Sequence, residues 1–166
     1  MTISDPLDDA AIEAFRDWTF LVVDDNPAAL SILRSMLGML GLRPPLEALD
    51  GATAMEMVRG NDFDCIITDI RMEPMSGAEF VRWVRHSNEA ANPTVRILAI
   101  SAYRDTAEID MIEREGANGF MGKPISVPVL EEALTALVRN PDRFVVVDVT
   151  ADLERPPLQR PQNSEC

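Results

Sequence analysis

Short, near-continuous apolar runs that alternate with helix-length amphipathic stretches constrain this chain more than any other feature. Residues 19–23 (TFLVV), 63–68 (FDCIIT) and 95–101 (VRILAIS) do not alternate apolar with polar, so they read as strands covered on both faces, as parallel strands are. Residues 43–49 (RPPLEAL) form a weaker strand pattern that starts on prolines, and residues 119–121 a short last one. The helices between them carry their own start and stop signals. Asn26 can cap and Pro27 can begin a helix with Leu30, Leu33, Leu37 and Leu40 on one face, which Gly41 ends. Ser76 and Glu79 have capping-box spacing, Asp105 can open a helix that stops at Gly116, and Ser126 one that carries Leu130, Leu134 and Leu137. Residues 51–59 supply the remaining helix. A strand–helix unit repeated five times predicts an α/β fold, a doubly wound five-stranded parallel sheet with helices on both faces.

The pattern fills residues 18–140 and leaves two extensions. Residues 1–17 can hold a short amphipathic helix with Ile12 and Phe15 one turn apart. Residues 141–166 begin with DRFVVVDVT, which has strong β propensity over 144–150, and end in a Pro-rich polar tail expected to be disordered. The strand-like part has three placements: on a sheet edge, against a second copy in a homodimer, or along the last helix. We expect it to be ordered and to contribute to self-association. A net charge of −13 disfavours nucleic acid and anionic membrane surfaces as partners. No apolar run is long enough to span a membrane, and the N-terminus is acidic where a secretion signal would be basic, so a cytoplasmic location is expected. Cys65 and Cys166 make no metal motif, and His86 falls at the polar end of a helix.

In a sheet of this kind function gathers at the carboxyl ends of the strands. Asp24 and Asp25 follow strand one, Asp69 strand three, Ser101 strand four and Lys123 strand five. Alone, the Asp24–Asp25 pair reads as a helix cap beside a turn. Together with Asp69 it forms a set of carboxylates whose mutual repulsion a hard divalent cation relieves, and oxygen donors favour Mg²⁺ or Mn²⁺ over zinc. Lys123 is the only lysine among 15 Lys and Arg residues, and its motif GANGFMGKP has the wrong glycine spacing for a nucleotide-binding loop, with Pro124 where that loop needs Ser or Thr.

Four motifs, VVDDN (22–26), IITDIRMEPMSG (66–77), LAISA (98–102) and FMGKP (120–124), resemble those of the receiver domains of two-component response regulators, the group that includes the chemotaxis regulator CheY. The resemblance covers roughly residues 18–140. It implies a stand-alone phosphoacceptor, not an enzyme, in which Asp69 takes a phosphoryl group from a histidine kinase or histidine phosphotransfer protein. Asp24, Asp25, Asp69 and the backbone carbonyl of Arg71 would hold Mg²⁺, with Mn²⁺ as substitute. Lys123 and Ser101 would contact the phosphoryl group. Ser101 and Phe120 would form the switch, Phe120 swinging inwards to fill space that Ser101 vacates, so that helix four, strand five and helix five change their face towards a downstream protein. Arg71 and Tyr103 match two positions that flank the attacking water and would tune the lifetime of the phosphoryl group.

Glu73 stands where the family usually has proline, and Pro74 follows it; the loop length to Gly77 is unchanged, so a locally different turn is expected. Two competing readings stay open from the sequence. A Mg²⁺-dependent phosphatase of the haloacid dehalogenase type also forms an aspartyl phosphate, but it wants D-x-D after strand one and a cap domain. A phosphate-independent receiver-like binding module would not need the full set of Asp24, Asp25, Asp69, Ser101 and Lys123.

Overall fold

The computed structural model describes residues 13–103 and 105–147. Six parallel strands form one sheet, β1 (Phe20–Val23), β2 (Leu46–Ala48), β3 (Cys65–Asp69), β4 (Arg96–Ser101), β5 (Gly119–Gly122) and β6 (Val145–Val147), in the order β2-β1-β3-β4-β5-β6. Five helices connect them: α1 (Pro27–Met39), α2 (Gly51–Gly60), α3 (Gly77–His86), α4 (Thr106–Glu115) and α5 (Val127–Arg139). The order reverses between β1 and β3, which opens a crevice at their carboxyl ends.

Successive strand residues point to opposite faces, and each face is sealed by its own helices. Leu21, Val23, Ile66, Ile97, Ala99 and Phe120 pack with α2, α3 and α4. Phe20, Val22, Ile67, Leu98, Ile100 and Met121 pack with α1 and α5. Phe15 is buried in this second layer and meets Trp18 edge to face at 4.6 Å, so the N-terminal extension supplies a core residue. The amphipathic helix expected within 1–17 lies mostly outside the described residues, as does Cys166.

Each cap expected from sequence is made. Asn26 accepts from the Ala28 N–H at 2.9 Å, Ser76 and Glu79 close the capping box, Asp105 accepts from Ala107 and Ser126 from Val129. Gly116, at φ 109°, ends α4 in the left-handed region that favours glycine.

The five expected strands are present, and the sheet gains a sixth from the C-terminal segment. Of the three placements, β6 takes the sheet edge beside β5, with Phe120 opposite Val146 and Met121 opposite Val147. Its alternation explains why it seats there. Val145 and Val147 join the α5 layer while Phe144 leans on the α4 layer. Val146, 51% exposed, is the outward position. Residues 148–150 of the expected strand and the tail beyond fall outside the described residues.

Candidate functional site

The site is built on backbone that the sheet holds in place. Asp24 follows β1, and its N–H donates to the Ala48 carbonyl at 3.1 Å, so the residue is fixed by β2. Asp69 is the last residue of β3, in register with Ile100 of β4. The loop after it turns back at once: the Gly77 N–H donates to the Ile70 carbonyl at 2.7 Å. A Cβ on Gly77 would collide with the Asp69 carbonyl oxygen and the Ile70 Cα, so glycine is required where α3 starts against the end of β3. Between them the Glu73–Pro74 peptide is cis and Glu73 is exposed, which is the locally different turn. Lys123 is held by its N–H donating to the Ser101 carbonyl at 2.9 Å, and the Lys123–Pro124 peptide is also cis.

This scaffold brings Asp24, Asp25, Asp69 and Lys123 together. One carboxylate oxygen from each of the three acids lies within 4.8 Å of the others. Lys123 Nζ is 3.6 Å from Asp24 Oδ2 and 3.6 Å from Asp69 Oδ1. Asp24 Oδ1 accepts from the Asn26 N–H, whereas its buried Oδ2 has no hydrogen-bond partner. Asp24 Oδ2, which faces Lys123 but accepts no hydrogen bond, fits a hard divalent cation together with the two further carboxylates, and the ion would offset their repulsion. Burial pushes the Asp69 carboxyl up to about 6; Lys123 opposes that shift, and the charges of Asp24 and Asp25 add to it.

Ser101 is buried at the end of β4, and its hydroxyl accepts from the Tyr103 N–H at 3.1 Å. The Arg71 side chain reaches Tyr103 after β4 and Glu108 of α4. Its guanidinium lies 3.5 Å from the centre of the Tyr103 ring and pairs with Glu108 of α4, Nε to Oε1, at 3.3 Å. Phe120 is fully buried in the α4 layer, with β6 between it and the sheet edge. The ring is already inside in this structure. Sequence reasoning missed Glu108. Its only signal was an acidic residue three positions after the Asp105 cap, which reads as a first-turn glutamate.

Comparison with known proteins bears directly on this arrangement. A family model for the response regulator receiver domain matches residues 20–135. The chain belongs to that family. The chemotaxis protein CheY of Pseudomonas aeruginosa is 33% identical over 114 residues, 69% of this chain and 90% of that protein. CheY-3 of Vibrio cholerae is 31% identical over 119 residues, 72% and 90% of the two chains. Among solved structures, Vibrio cholerae CheY4 superposes with a TM-score of 0.64 at 28% identity, covering 74% of this chain and 97% of that one. The receiver domain of a Pseudomonas aeruginosa sensor histidine kinase, solved with a magnesium ion coordinated in its active-site cleft, gives 0.65 at 25% identity over 74% and 98%. The receiver fold is thus the frame of this site, and β6 lies beyond the part the family model matches. Among the described residues no helix is long and apolar enough to cross a membrane.

Proposed function

We propose that this receiver is a phosphoacceptor switch of a two-component system, which takes a phosphoryl group from a histidine kinase or histidine phosphotransfer protein onto Asp69. The observation that carries the reading is the Asp69 carboxylate at the end of β3, with Lys123 Nζ 3.6 Å away and two further carboxylates within 4.8 Å. An Asp69 oxygen attacks phosphorus, the new O–P bond forms as the P–N bond to the donor imidazole breaks, and the imidazole keeps that electron pair. The chemistry asks mainly for positioning and for charge stabilisation on the equatorial oxygens. Lys123 supplies a compact cation there, which suits a crowded site better than a wide guanidinium. Asp24, Asp25, Asp69 and the Arg71 carbonyl would hold Mg²⁺, which when bound neutralises phosphoryl charge; the magnesium ion in the cleft of the sensor-kinase receiver supports a divalent cation here. The Ser101 hydroxyl, which accepts from Tyr103, keeps its proton to donate to a phosphoryl oxygen.

A cleft of about 260 Å³ beside Lys123 and Asp24 supports a protein donor. Its walls are Leu33 and the exposed Ile32 of α1 and Ile125 after β5, an apolar surface onto which a helix bearing the phosphohistidine can lie. Arg71 and Tyr103 are proposed to lengthen the life of the acyl phosphate by covering it. The output face is proposed to run from α4 over the β5 edge to α5, with β6 now seated on that edge. Self-association through the C-terminal segment is the remaining role proposed for it; an unchanged oligomeric state after deleting residues 141–166 would remove it.

Intact-mass analysis of the full chain with acetyl phosphate tests the reading. We expect one phosphoryl adduct that needs Mg²⁺ and is lost in Asp69→Ala. A folded wild-type protein that gains no adduct, or an adduct that survives in Asp69→Ala, overturns it.

A further inference from the structure

Arg71 has a buried ion-pair partner for which the phosphoacceptor chemistry has no use. Glu108 is in the first turn of α4, 9% exposed, and meets Arg71 with both oxygens, Nε to Oε1 at 3.3 Å and Nη2 to Oε2 at 3.5 Å. The Arg71 side chain is 56% exposed, long and flexible, so left to itself it would sample many rotamers. A two-point contact to a carboxylate on a rigid helix restricts it to one plane. In that plane it lies on the Tyr103 ring, 3.5 Å from its centre.

The placement of this stack gives it a role. Arg71 is two residues beyond Asp69 at the end of β3, and Tyr103 two residues beyond Ser101 at the end of β4, the neighbouring strand. The stacked pair therefore bridges the two loops that border Asp69 on the β4 side. It is also tied to Ser101, whose hydroxyl accepts from the Tyr103 N–H. A continuous chain of contacts thus runs from Ser101 through Tyr103 and Arg71 to Glu108 on α4.

We propose that Glu108 is a positioning residue of this receiver: it holds Arg71 flat on Tyr103 across the β4 side of the phosphorylation site, limits the approach of water to the acyl phosphate, and ties that cover to α4. The proposal rests on Asp69 being the phosphoacceptor. Hydrolysis breaks the O–P bond when water attacks phosphorus and returns the Asp69 carboxylate and inorganic phosphate; Glu108 takes no part in that step except through Arg71. When a phosphoryl group engages the Ser101 hydroxyl, the displacement of Tyr103 reaches the first turn of α4 through the same clamp.

The test uses the full chain labelled with acetyl phosphate and Mg²⁺, freed of excess donor, with loss of label followed over time. Glu108→Gln keeps the shape and removes the charge. We expect it to shorten the phosphoryl lifetime by about threefold to tenfold, a loss of the size a coupled ion pair supports. Arg71→Ala should do the same, the double variant should add nothing further, and Glu108→Asp should restore part of the lifetime. A residue that only stabilised α4 would lower the melting temperature without this non-additivity. Should Glu108→Gln fail to fold, Arg71→Leu cuts the same pair from its exposed side, and its lifetime decides. A normal lifetime in labelled Glu108→Gln, or full additivity with Arg71→Ala, overturns the proposal and leaves the phosphoacceptor reading intact. Absence of label on wild type overturns both.

Discussion

The two walls of the Asp69 site are made by different means. One wall carries the charges, Asp24 and Asp25 after β1 and Lys123 after β5; the Asp24 and Lys123 backbones are hydrogen-bonded into the sheet, and Asp24 is buried. On the β4 side, Ser101 alone is buried strand, while Arg71 and Tyr103 are exposed loop residues held by stacking and by the Arg71–Glu108 ion pair to α4. The first wall concentrates charge in a fixed geometry, which is what phosphoryl transfer needs. The second can move without disturbing the sheet, which suits timing and readout. Changes to the first wall should therefore abolish chemistry, and changes to the second should alter how long its product lasts.

The largest break is expected from Asp69→Asn. Phosphoryl uptake from acetyl phosphate should fall by about a thousandfold or more, to background, measured by intact mass. Next is Lys123→Arg, which keeps the charge but replaces a compact ammonium with a planar fork. Uptake should fall by about a hundredfold while folding and Mg²⁺ binding persist. An uptake close to wild type would show that the first wall is less demanding than its geometry suggests.

A third test uses pH and sharpens the contrast in electrostatics. The folded pKa of Asp69 is raised to about 6 from 3.8. A raised acid favours the folded state while protonated, so that contribution is full below the unfolded pKa and is lost as pH rises through about 6. Metal-free protein should lose stability of order 2 kcal/mol across this window in thermal or urea unfolding, and Asp69→Asn should lose much less. Saturating Mg²⁺ should restore about 2–3 kcal/mol at neutral pH. A flat profile for metal-free wild type would contradict a raised Asp69 pKa caused mainly by its burial, with Asp24 and Asp25 adding to it.

The smallest effects belong to the second wall. Tyr103→Ala should speed loss of the phosphoryl group by about threefold to fivefold, with little change in its uptake. Equal loss in uptake and lifetime would mean that the two walls do not divide the work.

Most of the fold and the first wall were legible in sequence because they follow local rules. Continuous apolar runs become parallel strands, caps such as Asn26 and Ser76 mark helix starts, and strand ends meet in a parallel sheet whatever their loops do. Glu108 was not legible, since a first-turn glutamate gives no sign of which neighbour α4 will present to it. Nor was the seating of β6 on the β5 edge, opposite Phe120 and Met121. The β propensity of residues 144–150 pointed to a strand, but a strand of that kind fits an edge, a partner or a helix equally well until the tertiary neighbours are known.

The most direct test of the central claim is to trap the acyl phosphate and find its residue. Borohydride reduces a phosphorylated aspartate to homoserine, which peptide mass spectrometry locates in the full chain after treatment with acetyl phosphate and Mg²⁺. Homoserine at position 69 alone, and only with Mg²⁺ present, is the predicted result. Homoserine at position 24 or 25, or none in folded, Mg²⁺-treated protein, would contradict it.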